Sequence, residues 1–188
     1  MKRLAVSLFG LMLVLAACGG SKGAAEHNAA DVDFVSGMIP HHEQAVVMSK
    51  LAATNATDPK IKDIASRIQA GQDPEIQEMK GFLTSWGEKA KPSGDEGGHG
   101  GGHRGGAPAA HPGMMTPEQM KSLESARGPA FDKLFAEQMI EHHEGAVLMA
   151  KVELDKGKAA EAKALATKII AAQEGELTEL KAFLSSAG

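Results

Sequence analysis

The chain has 188 residues, with 24 acidic, 20 basic and 8 histidine side chains, one cysteine and no tyrosine. A net negative charge argues against nucleic acid as a partner, and the near absence of aromatic residues argues against recognition by stacking. A single cysteine excludes an internal disulfide framework.

The N-terminus reads as an export signal. Lys2 and Arg3 precede an apolar run from Leu4 to Leu15, and small residues follow at Leu15-Ala16-Ala17-Cys18. The run is too short to span a bilayer comfortably. Leu-Ala-Ala-Cys resembles a bacterial lipobox, which implies a lipoprotein signal peptide over residues 1–17 and lipidation of Cys18. The expected product is a soluble domain anchored on the extracytoplasmic side, at the cell surface or in the periplasm. The leader removes two basic residues and no acids, leaving the mature chain near −6. With Cys18 lipidated, no thiolate remains for a metal, so any soft ligand must be methionine. Residues 18–30 are small and polar and read as a tether.

Two units follow, 31–86 and 132–187. They align without a gap from Asp31/Asp132 to Ser85/Ser186. The first carries Met38-Ile39-Pro40-His41-His42-Glu43-Gln44-Ala45-Val46-Val47-Met48. The second carries Met139-Ile140-Glu141-His142-His143-Glu144-Gly145-Ala146-Val147-Leu148-Met149. Phe34, Met38, His41, Ala45 and Met48 step by four and three, as do their counterparts, which predicts a helix. A second helix in each unit follows from Ile61, Ile64, Ala65, Ile68, Gln72, Ile76, Met79 and Leu83, and from Leu165, Ala166, Ile169, Gln173, Leu177, Leu180 and Leu184. Asp58-Pro59 starts one of these helices, and Asp155-Lys156-Gly157 marks the turn in the second unit. Pro74 is expected to bend its helix or to free a carbonyl. Two amphipathic hairpins of this kind bury their stripes by packing as an all-α four-helix bundle.

Residues 87–115 form a linker rich in Gly, Pro and His. It holds His99, His103 and His111, with Met114 and Met115 at its end. These five are auxiliary metal candidates; loose capture and plain spacer are both open readings. Thr116-Pro117-Glu118-Gln119 has a capping-box pattern. It predicts a short helix to about Arg127, which Gly128-Pro129 then breaks.

The repeated motif carries the chemistry. On a helix, Met38, His41 and His42 form an N,N,S patch, repeated by Met139, His142 and His143. Met48 and Met149 lie about 10 Å further along the axis, where they form an adjacent site or fill core. Imidazole with thioether favours Cu(I), with Cu(II) open to nitrogen-rich sets. Zinc prefers more His, Cys or carboxylate, and calcium and magnesium prefer oxygen. The plain alternative is that Met fills core and His is a hydrogen-bonded core residue. Against it, Pro40 became Glu141 and Gln44 became Gly145 while both His pairs stayed. Glu43 and Glu144 read as solvated charge, or alternatively as partners of a histidine. Gln72 and Gln173, polar on apolar stripes, either contact backbone near Pro74 or orient a facing imidazole.

The Met-Ile-x-His-His-Glu-x-Ala-Val-x-Met pattern resembles one family, as do the Phe-Asp-x-x-Phe lead-in at Phe131 to Phe135 and the Gln-x-x-Glu…Lys-x-Phe-Leu endings. It is domain of unknown function 305, whose copper-binding members are called CopM-like. The resemblance covers about Asp31 to Phe183. It implies a ferritin-like four-helix bundle, export, and copper binding or resistance, with ligand candidates at Met38, His41, His42, Met48, Met139, His142, His143 and Met149. The long Gly/His linker departs from the pattern.

The expected function is a lipid-anchored copper protein that sequesters copper or relays it to a partner protein, without turnover. A di-iron oxidase or peroxidase on the same bundle would need Glu-x-x-His. Here the residues three before the histidines are Met38, Ile39, Met139 and Ile140. A metal-free helical interaction module is the other alternative. Binding through imidazole is expected to weaken below about pH 6.

Overall fold

The computed structural model describes residues 26–90 and 111–186; the leader, Cys18, His99 and His103 lie outside them. Helix α1 spans Ala29–Asn55. It starts where the Asn28 side chain accepts from the Ala30 and Asp31 amides and Asp31 answers on the Asn28 amide. Helix α2, Pro59–Trp86, is capped by Asp58 and ends at Gly87, whose φ of 72° is the left-handed conformation that glycine adopts without strain. The short α3, Pro117–Ser125, carries the expected capping box between Thr116 and Gln119. Helices α4, Gly128–Lys156, and α5, Ala160–Ser186, complete the described residues, which contain no strand.

Two boundary expectations need correction. Helix α3 stops at Ser125, short of Arg127, and Gly128-Pro129 opens α4 instead of separating two elements. Proline in the first turn loses no intrahelical bond, so it is a start signal there. Pro74 does not end α2, and Pro40 lies inside α1 in the same way. A proline removes one helical bond. Ile64 and Ile68 before it and Ile76 and Met79 after it are all buried, so α2 is packed into the core on both sides of the proline.

Helices α1 and α4 run antiparallel at the centre, α2 packs on α1, and α5 packs on α4. The two hairpins are stitched at their ends by the repeated aspartates. Asp31 accepts from the Lys158 and Ala159 amides, at 2.9 and 2.8 Å, in the turn of the other unit. Asp132 accepts from the Thr57 amide and hydroxyl and the Asp58 amide, at 3.0, 2.7 and 3.0 Å. Each unit thus satisfies the orphan donors at a helix start in its twin.

The core is split in two along the bundle. One apolar cluster includes Val35, Met38, Ile76, Met79, Leu165 and Ile169. The other includes Met48, Ile61, Ile64, Phe131, Phe135 and Met139. Burial of each large side chain contributes roughly 1.5–3 kcal/mol. Four histidines, Gln72 and Gln173 are also buried, and they belong to neither cluster. No described helix is long and apolar enough to cross a membrane.

Candidate metal centre

Consecutive helical residues point about 100° apart, so each His-His pair cannot face one way. His42 turns toward α2, where its Nε2 lies 2.8 Å from Glu75. His41 turns toward α4, and its Nε2 donates to the Pro112 carbonyl at 3.0 Å. The second unit repeats the split. His143 meets Glu176 at 2.6 Å, and His142 faces His41 with ring centroids 3.8 Å apart. The compact patch expected from Met38, His41 and His42, and its twin, therefore opens out. One imidazole from each unit meets its twin at the centre, and the other is held by a carboxylate at the flank.

The partners set the tautomers. A carbonyl only accepts, and a carboxylate accepts from a neutral imidazole. Nε2 therefore carries a proton on His41, His42 and His143, and in neutral His41 the lone pair is left on Nδ1. The Nδ1 atoms of His41, His42, His142 and His143 are all buried without a hydrogen-bond partner, and so is Nε2 of His142. Burial pushes the His41 imidazole down to about 3, with the neighbouring histidines adding to the effect. Burial, with His41 beside it, also holds His142 well below the ordinary histidine range. These rings are therefore neutral donors of electron pairs at physiological pH. Proton competition below pH 6, expected from an ordinary imidazole, shifts to lower pH for this pair.

The methionines divide between the layers. Met38 is fully buried in one apolar cluster, and Met139 and Met48 are fully buried in the other. Met149 is half-buried at the edge of the first cluster. Among the described residues no three His, Cys or carboxylate groups converge as a metal cage. The buried thioethers of Met38 and Met139 are the soft side-chain donors on the same two helices as His41 and His142. A donor set of unpartnered neutral imidazoles and buried thioethers fits a soft ion of low coordination number.

The first reading of Glu43 and Glu144 holds, while the amides depart from theirs. Glu43 and Glu144 are solvated charges, paired with Lys80 and Lys181 at 2.8 and 2.7 Å. The histidine partners are instead Glu75 and Glu176. Their signal was present, because both units place an identical Glu one turn beyond the buried Gln. Gln72 takes up neither expected contact: both its side-chain polar atoms are buried without partners, as is the Gln173 oxygen.

Sequence reasoning also missed a strap. Residues 111–115 cross α1 and α4 over the histidine pair. Gln44 grips the Met115 backbone twice, at 2.7 and 3.0 Å. A Cβ on Gly145 would overlap the Pro112 carbonyl, so α4 admits the strap only with glycine there. Met115 is buried in the second cluster and Met114 is half-buried. His111 lies against Gly37 beside Met149.

Comparison with known proteins agrees with this architecture. A DUF305 protein of Streptomyces coelicolor, described as secreted, has a crystal structure 28% identical to this chain. Its TM-score is 0.74, over 85% of this chain and 94% of that one. CopM in its Cu(II)-bound form is 30% identical with a TM-score of 0.68, over 83% of this chain and 96% of CopM. CopM is also known in Cu(I)-bound, silver-bound and apo forms. An uncharacterized protein of Acanthamoeba polyphaga mimivirus is 43% identical over 53 residues, which are 28% of this chain and 35% of that protein. The family described as "Domain of unknown function (DUF305)" matches residues 31–184, and the chain belongs to it.

Proposed function

We propose that the protein is an extracytoplasmic copper-binding protein that sequesters or relays copper and performs no turnover. His41 and His142 would offer Nδ1 atoms to the metal, and Met38 and Met139 would offer sulfur from the apolar clusters on either side. Met48 and Met149 are outlying candidates. When bound, the metal supplies the charge and coordination that these buried neutral donors lack. The observation that carries the reading is the pair of buried imidazoles, 3.8 Å apart and tilted by 45°, with unpartnered ring nitrogens. A buried polar atom without a partner is costly, so a centre holding several calls for a ligand. The silver- and copper-bound forms of CopM support the choice of metal. The neutral, sulfur-containing donor set favours Cu(I), with Cu(II) open to the nitrogen-rich combinations.

Glu75 and Glu176 would orient His42 and His143 as carboxylates orient metal-bound imidazoles. The segments are assigned as a signal peptide over 1–17, a lipid anchor at Cys18, a tether over 18–30 and the duplicated bundle over 31–188. His99 and His103 are assigned to loose capture. X-ray absorption of the protein loaded anaerobically with one equivalent of Cu(I) tests the ligand set. Mixed nitrogen and sulfur scattering that loses its sulfur component in Met38→Leu/Met139→Leu is expected. A purely nitrogen or oxygen shell in the wild type would remove the methionines from the site.

A further inference from the structure

Among the places where the pseudo-twofold that relates the two units fails, one has metal-ligand chemistry. Gly37 of α1 is packed by the His111 imidazole and the Met149 methyl. A Cβ there would lie 2.7 and 2.9 Å from His111 Cε1 and Nδ1, and 3.0 Å from Met149 Cε. The imidazole of a strap histidine and the end of a methionine side chain from α4 thus meet over one bare patch of helix backbone. Both side chains are half-buried, and Gly37 lies one turn before His41.

The twin position is closed. The counterpart of Gly37 is Gln138, a buried side chain that donates to the Gln119 carbonyl at 3.2 Å. The counterpart of Met149 is Met48, fully buried in the core. No strap histidine sits on that side among the described residues. The duplication alone therefore does not account for the His111–Met149 pair.

We infer that His111 and Met149 form an outer binding site for a soft monovalent cation, Cu(I) or Ag(I), at the mouth of the buried His41–His142 centre. One imidazole nitrogen and one thioether sulfur supply the two donors that such an ion accepts in linear geometry. Gly37 leaves the space in which they meet. The half-buried position gives the ion a landing point from which it reaches the buried pair one helical turn away. The outer site stands on its own geometry, while its role as an entry point rests on the copper reading above.

The test is titration of the mature protein with Ag(I) alone, followed through the histidine ring nitrogens by NMR. Four proteins are compared: wild type, Met149→Leu, Gly37→Ala and the inner-site variant His41→Ala/His142→Ala. The expected result is a shift of the His111 ring nitrogens in wild type and in the inner-site variant. Binding that drives this shift should weaken at least tenfold in Met149→Leu and in Gly37→Ala, with unchanged helical circular dichroism. A His111 ring that never responds to silver would overturn the site, as would a response that Met149→Leu leaves intact. If His111 responds while the His41 and His142 rings stay silent in wild type, the outer site stands and the inner centre falls.

Discussion

His41 and His142 descend from the same repeated position yet sit in different surroundings. His41 is tied through Nε2 to the strap carbonyl of Pro112, whereas neither ring nitrogen of His142 has a partner. The difference traces to two substitutions between the units. Gln44, with its side-chain amide, holds the strap to α1; Gly145, without a side chain, makes room for it on α4. Duplication thus built a symmetric layer of four imidazoles. Divergence at the flanking positions then placed the linker over one face of it and left the Gly37 side for His111.

The contrast between the ends of the bundle is the most sensitive to mutation. Asp31 and Asp132 stitch opposite turns, but Asp31 also faces the buried Glu153, whereas the counterpart of Glu153 in the first unit is Ala52. Asp132→Ala strips the acceptor from three donors and is expected to cost about 3 kcal/mol in urea unfolding. A loss below about 1 kcal/mol would show that the Thr57 turn finds water instead. Next comes the strap. Gly145→Val is expected to cost about 1–3 kcal/mol and to expose the Met115 amide to hydrogen exchange. Gly175→Ala, on an open helix face with nothing near its added methyl, should stabilise by about 0.5–1 kcal/mol. If both glycine variants behaved alike, the strap would not depend on Gly145.

The pH profile separates the polar layer from the Asp31 end. His41 and His142 are depressed from 6.5, mainly by burial. Their contribution is complete above pH 6.5 and is lost as pH falls, by up to about 1.4 kcal/mol per pH unit for each ring. Glu153 is raised from 4.5 to about 8, first by burial and then by Asp31. Its contribution is complete below pH 4.5 and is lost as pH rises through 8. Apo-protein stability should therefore peak near pH 6.5, and Glu153→Gln should flatten the alkaline limb and steepen the acid limb above pH 4.5. A wild-type profile that is level from pH 5 to 8 would contradict both assignments.

Much of this fold was legible because it rests on local rules. Apolar spacing along Ile61 to Leu83, the Asp58-Pro59 start and the Thr116 capping box each specify a helix without reference to the rest of the chain. The divergence of His41 from His42 was available too, since adjacent helical residues differ by about 100°. The repeat marked Glu75 and Glu176 as a pair, but it did not show that Glu75, and not Glu43, meets a histidine. That choice depends on which face of α1 meets α2, a tertiary fact. The strap was hidden for a similar reason. Gln44/Gly145 looks like drift until the Pro112 backbone is seen lying between the helices.

The central claim is that copper binds at the paired histidines, and an anaerobic Cu(I) titration against a chromophoric chelator tests it most directly. Wild type is compared with His41→Ala/His142→Ala, and circular dichroism verifies the fold of both. The account predicts that wild type competes with the chelator for at least one equivalent and that the variant loses that equivalent. A folded variant that competes as well as wild type would place copper elsewhere and return the histidine layer to a purely structural role.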